Sequence, residues 1–127
     1  MTPGERFERT YEQDDPNAPR RARGAVATLG DIDDRLRRDL TIVVSELVAN
    51  GIRHAPRVEG GQVVLAVSRE ADVFRVEVTD PGDGFDPTPD TSREGGLGLV
   101  IVGHLARSWG ITAGASTVVW CEVAIPH

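Results

Sequence analysis

The sequence predicts an α+β fold, a two-layer sandwich with helices on one face of a mixed, mostly antiparallel sheet. Three observations carry that expectation. Leu36, Leu40, Val43, Val44, Leu47 and Val48 recur at spacings of three and four, the period of a helix with one apolar face. Residues 62–68 and 73–79 alternate apolar and polar side chains and are separated by Arg69-Glu70-Ala71-Asp72, which predicts a hairpin. Helical and strand patterns are segregated along the chain rather than strictly alternating, as in helices packed on one side of a sheet.

The elements follow in order. Residues 7–11 read as a short strand. Residues 14–19 form a turn that can start a helix, with acid near its start and proline in the first turn, running through Arg23, Val26 and Leu29 to about Gly30. The long helix begins near Asp31 or Asp33 and ends at about Ala55, where Pro56 stops it. Glu59-Gly60-Gly61 is a turn, and the hairpin follows it. Residues 81–94 hold three prolines and two glycines and read as loop. Residues 97–108 read as a helix with Leu97, Val100, Ile101 and Leu105 on its apolar side. Short strands are expected at 109–112 and 117–125.

A chain of 127 residues is long enough for one domain with a real core. The domain is expected to span 1–127, with its core at about 7–125 and residues 1–6 flexible. Hydrophobic residues make up 39% and charged residues 27%, the balance of a globular protein. A net charge of -6 argues against general binding of nucleic acid or anionic membrane. Arg20-Arg21-Ala22-Arg23 and Arg35-Leu36-Arg37-Arg38 are basic clusters that read first as solvated helix faces, or as docking points for an acidic partner. Cys121 is the single cysteine, which excludes an internal disulfide and a thiolate-rich zinc site. Its apolar surroundings predict a buried thiol. The first residues hold no apolar leader segment, and no run approaches membrane-spanning length, so a cytoplasmic protein is expected.

Three stretches carry chemistry. Glu46 and Asn50 lie four apart on the long helix and share a face, with Arg53 close to the same stripe and His54 beside it. A carboxylate, an amide and a guanidinium along one face suit phosphate chemistry. The amide oxygen can take a magnesium position, the carboxylate can deprotonate a hydroxyl, and the guanidinium can meet phosphate oxygens. The same pattern also fits an ordinary solvent-facing stripe. Asp80-Pro81-Gly82-Asp83-Gly84 follows a strand. A carboxylate fixed there can accept a hydrogen bond from an adenine amino group, while Gly82 and Gly84 let the backbone approach the base; an ordinary turn has the same composition. Gly95-Gly96-Leu97-Gly98-Leu99 opens a helix whose free N–H groups suit phosphate, although Gly-x-Gly equally permits close helix packing. Residues 85–95 between the clusters would form a lid, with Phe85 anchoring it in the core.

In this order the motifs resemble the ATP-binding domain of the GHKL superfamily, with the Bergerat fold, over about residues 7–123. Glu46…Asn50…Arg53-His54 resembles the family's N box. Asp80-x-Gly82-x-Gly84 resembles the first glycine box, and Gly96-Leu97-Gly98-Leu99 the second. Ser116-Thr117-Val118-Val119-Trp120 resembles the closing strand, with serine where glycine is usual. Residues 45–55 are most similar to bacterial anti-sigma factor serine kinases, with Gly51 replacing the usual alanine after the asparagine, which marks a kink or a close backbone contact.

The resemblance implies ATP and Mg2+ as ligands. Asp80 and Thr117 would hold the adenine, and Asn50 would coordinate the metal. Arg53, His54 and the backbone around Gly96, Leu97 and Gly98 would stabilise phosphate, and Glu46 would be the base for a substrate serine. It also implies an anti-anti-sigma protein as substrate, a sigma factor as sequestered partner, and a homodimer. Two other functions fit less of the pattern. One is a docking module that uses or has lost ATP. The other is a histidine-kinase-type catalytic domain acting in trans, although no helical domain with a phosphoacceptor histidine is apparent.

Overall fold

The computed structural model describes residues 1–54, 58–80 and 96–126. The chain runs β1 (Arg6–Glu12), α1 (Ala18–Ala27), α2 (Asp34–His54), β2 (Gln62–Arg69), β3 (Val73–Asp80), α3 (Gly96–Leu105), β4 (Ser108–Ala113) and β5 (Thr117–Ala124). The sheet order is β1-β2-β3-β5-β4, and every described pairing is antiparallel. The topology explains why a mostly antiparallel sheet becomes wholly so. α3 is the crossover that returns the chain to begin β4 parallel to β3. The β4–β5 hairpin then places β5 between them, so no two parallel strands are neighbours.

Strand alternation divides the sheet into a dry face and a wet one. Leu65 pairs with Val78, Val67 with Val76, Val78 with Val119, and Val76 with Cys121, and all are buried. The helices cover this face through Leu36, Leu40, Val43, Val44, Leu47 and Val48 of α2 and Ala18, Ala22 and Val26 of α1. Fully burying each Val or Leu contributes about 1.5–3 kcal/mol, so this layer dominates the stability. The opposite face carries Arg75, whose guanidinium pairs with Glu77 at 3.2 Å and Glu122 at 3.3 Å and lies 4.5 Å from the Trp120 ring centroid. Antiparallel sheets tolerate one solvated face in this way.

Element ends are set by contacts that local pattern does not contain. α2 starts at Asp34 because Asp33 caps it: the Leu36 N–H donates to Asp33 Oδ1 at 2.7 Å. α1 ends at Ala27, short of Gly30. Arg37 donates to the carbonyl oxygens of Leu29 and Ile32 and to Asp34, tying the α1–α2 connection together. Arg37 is therefore a buttress and not part of a solvated basic face, whereas Arg20, Arg21, Arg23, Arg35 and Arg38 are exposed. α3 stops at Leu105, earlier than its helical pattern. The Arg107 N–H donates to the Glu122 carbonyl at 2.7 Å and its side chain pairs with Asp72, so the chain is already entering β4. The expected stop at Ala55-Pro56 lies outside the described residues. At the N-terminus, Arg69 donates to the Met1 carbonyl at 2.6 Å, and the Gly4 N–H donates to the Arg69 carbonyl at 2.7 Å.

Gly51 explains how closely α2 rides on the sheet. A Cβ there would sit 3.0 Å from Val78 Cγ1 and 3.3 Å from Val63 Cγ1. The glycine marks a close contact between helix and sheet. Gly51→Val should lower stability by about 1–3 kcal/mol through overpacking, read as a fall in the urea midpoint.

Cys121 is buried, and burial pushes its thiol up to about 12. The unfolded thiol ionises near about 8.5, so above that pH the unfolded chain has lost a proton that the native chain keeps. Its contribution is therefore intact below about pH 8.5 and is lost as pH rises towards 12. Tyr11, also raised by burial, adds a fall of the same sign. Urea midpoints measured from pH 8 upward should fall less steeply in Cys121→Ala than in the parent, the difference between the two curves being the thiol's share.

Candidate functional site

The candidate site forms where one end of the sheet meets α2 and α3. Asp80 is the last residue of β3 and Thr117 the first of β5, and the two are paired. Alternation puts both on the dry face, beyond Val78 and Val119, with Asp80 2% and Thr117 0% exposed. A carboxylate and a hydroxyl thus end two strands whose other inward residues are apolar. Polar groups in such a place require partners, and both engage in polar contacts.

α2 brings its stripe to the same end. Gly51 lies on Val78, two residues before Asp80, so the helical turn containing Asn50 covers the end of β3. Asn50 is 2% exposed, and its Oδ1 has no hydrogen-bond partner among the described residues. A buried polar atom left without a partner costs about 1–3 kcal/mol, an arrangement that suits an oxygen reserved for a ligand. Glu46, one turn earlier, is half-buried, and no hydrogen bond or ion pair holds its carboxylate among the described residues. The carboxylate instead lies against Gly98, where a Cβ would come 2.5 Å from Glu46 Oε2. The first turn of α3, opening at Gly96 and continuing through Leu97 and Gly98, therefore stands beside the Glu46–Asn50 stripe. Its leading N–H groups are free of intrahelical partners, as at any helix start.

The structure thus gathers Glu46, Asn50, Asp80, Gly96, Leu97, Gly98 and Thr117 at one end of the sandwich. Arg53 and His54 sit exposed in the last turn of α2, outside the buried group. Gly82, Gly84 and the expected lid at 85–95, including Phe85, lie outside the described residues. Two features exceed what the sequence pattern conveys. Asn50 is buried rather than on an open polar face, and Gly98 touches Glu46. Neither is a periodicity signal; each depends on how α2 and α3 pack.

These residues suit a magnesium-bound nucleotide. Asn50 offers a buried oxygen donor of the type magnesium accepts, and the N-terminal turn of α3, with its leading N–H groups, stands beside the same stripe. A sandwich with this site at one end has the build of a nucleotide-binding ATPase domain. The chain belongs to the histidine kinase-like ATPase domain family, whose model matches residues 13–122. The ATPase domain of this family binds ATP, generally with Mg2+.

Among solved structures, the fold is similar to a blue-light activated histidine kinase of Erythrobacter litoralis, with a TM-score of 0.64 at 22% identity. The match covers 83% of this chain and 40% of that kinase, so the chain spans less than half of its neighbour's length and the likeness is one of fold. No curated protein matches the chain. No helix among the described residues is long and apolar enough to cross a membrane.

Because Asn50 Oδ1 is buried without a partner among the described residues, removing it should relieve the fold. Asn50→Leu should raise the urea midpoint, by about 1 kcal/mol of stability, in protein free of nucleotide. A lowered midpoint would show that the oxygen is satisfied in solution.

Proposed function

We propose that this domain binds Mg2+-ATP at the Asp80–Thr117 end of the sheet and transfers the γ-phosphate to a protein serine, in the manner of an anti-sigma factor kinase. The observation that carries the reading is the Glu46 carboxylate, on the same stripe as buried Asn50 and beside the start of α3, with no hydrogen bond or ion pair holding it among the described residues. A base must be free to accept a proton, and among the described residues this carboxylate is not committed to a structural pair.

In this reading Asp80 accepts a hydrogen bond from the adenine amino group, with Thr117 beside it. Asn50 supplies an oxygen to the metal. The N–H groups at Gly96, Leu97 and Gly98 face phosphate, with Gly82 and Gly84 giving the backbone access to the base. Arg53 and His54 add charge stabilisation from the rim. Bound Mg2+ neutralises phosphate charge. Glu46 takes the hydroxyl proton as the serine oxygen bonds the γ-phosphorus, the bond to the bridging oxygen breaks and ADP leaves. The similarity of residues 45–55 to anti-sigma factor kinases supports an anti-anti-sigma protein as the serine donor, a sigma factor as the sequestered partner, a homodimer and a cytoplasmic setting.

Calorimetry with Mg2+-ATP tests the pocket. The parent should bind in the micromolar range, with affinity lowered at least about tenfold by Asn50→Ala and by Asp80→Asn, the loss of a charged or metal-linked contact. Glu46→Ala should retain binding and lose transfer of label from γ-labelled ATP to protein by about a hundredfold or more. Acid-stable label supports serine transfer, and acid-labile label would instead indicate histidine. Binding that survives in the parent without any transfer would leave a docking module, and no binding at millimolar ATP would defeat the nucleotide reading.

A further inference from the structure

Glu46 poses a problem of orientation. Its side chain has three torsions, is half-buried, and has no polar partner among the described residues to select one rotamer. A base that wanders loses the positional advantage on which catalysis depends. One neighbour restricts it. Gly98 in the first turn of α3 presents bare backbone to the carboxylate, and a Cβ there would lie 2.5 Å from Glu46 Oε2, 3.5 Å from Cδ and 3.8 Å from Cβ.

The backbone does not require glycine at this position. The only positive-φ glycines among the described residues are Gly4 and Gly60, so Gly98 holds a conformation open to any L residue. Within a helix glycine is less favourable than alanine, and local propensity alone selects against it here. Space is the remaining physical reason, and the carboxylate of Glu46 fills it.

We infer that Gly98 is a positioning residue for Glu46. The missing side chain forms a seat for the carboxylate, so the start of α3 sets the direction in which the base points. The inference rests on the kinase reading above for its catalytic meaning, but the seat itself is a packing relation and is testable without turnover. It also separates two reasons for a glycine at this position. Access of phosphate to the backbone is spoiled by any side chain, whatever stands at residue 46. A seat for Glu46 is spoiled only while the long carboxylate is present.

A stability cycle reads the seat. A Cβ at residue 98 meets only the far end of the Glu46 side chain, so Gly98→Ala should raise the urea midpoint in a Glu46→Ala background, where only alanine's better helix propensity acts, and should raise it less or lower it in the parent, where the carboxylate must shift. An equal change in both backgrounds would overturn the seat. Phosphate release from Mg2+-ATP, with water as acceptor, reads the catalytic consequence. Gly98→Ala should slow release about tenfold or more. Adding Glu46→Asp, one methylene shorter, should restore part of that loss, although Glu46→Asp alone slows the parent. Equal slowness of Gly98→Ala and the double variant would overturn positioning and leave phosphate access as the role of the glycine. A parent that binds Mg2+-ATP without releasing phosphate would remove the base role, and the positioning role with it, while the coupling in the stability cycle would still decide whether the seat exists.

Discussion

The close packing of α2 on the dry face of the sheet is the constraint on which the rest depends. Gly51 lets the helix backbone approach Val63 and Val78 so closely that even a Cβ would press on their methyl groups. That approach fixes the height and rotation of α2, because Leu40, Val43, Val44, Leu47 and Val48 must fill the space beneath it. With the buried face fixed, helical geometry leaves Glu46 and Asn50 on the flank towards α3 and the end of β3. The site is thus a consequence of how the core is filled, and small changes in that packing move all of its side chains together.

Stability and ligand chemistry pull in opposite directions at this end of the molecule. Elsewhere the inner face is Val, Leu, Phe and a protonated thiol. Here it carries Asp80, Thr117 and Asn50, all essentially excluded from solvent. A fold optimised for stability alone would use an apolar residue at position 50, where the buried Asn50 oxygen has no hydrogen-bond partner among the described residues. These three collect at the end of the sheet where β3 ends and β5 begins. The opposite face of the sheet handles its charge differently. Arg75, Glu77, Glu122, Arg107 and Asp72 pair with one another near water, where each pair contributes little and its loss costs little.

Much of the architecture was legible in local pattern. The period of three and four over α2 and the alternation in β2 and β3 are properties of contiguous residues, and these elements fall within a few residues of their expected bounds. The pattern failed at ends governed by distant partners. α3 stops because Arg107 is drawn into pairing with Glu122 and Asp72, and α1 stops where Arg37 takes the carbonyls that follow it. Arg37 itself was read as surface charge because no local signal distinguishes a solvated arginine from one that ties down a connection.

By itself the sequence determined the fold class, the family-like order of the motifs and the residue types of the site. These depend on periodicity, on turn chemistry and on which functional groups are present in which order. Only the tertiary structure decided that β5 inserts between β3 and β4, that Asn50 is buried with an oxygen unpartnered among the described residues, and that Gly98 lies under the Glu46 carboxylate. Each of these is a relation between segments far apart in the chain. Such relations are set by the joint filling of one core, and no window of sequence short enough to carry a pattern contains both partners.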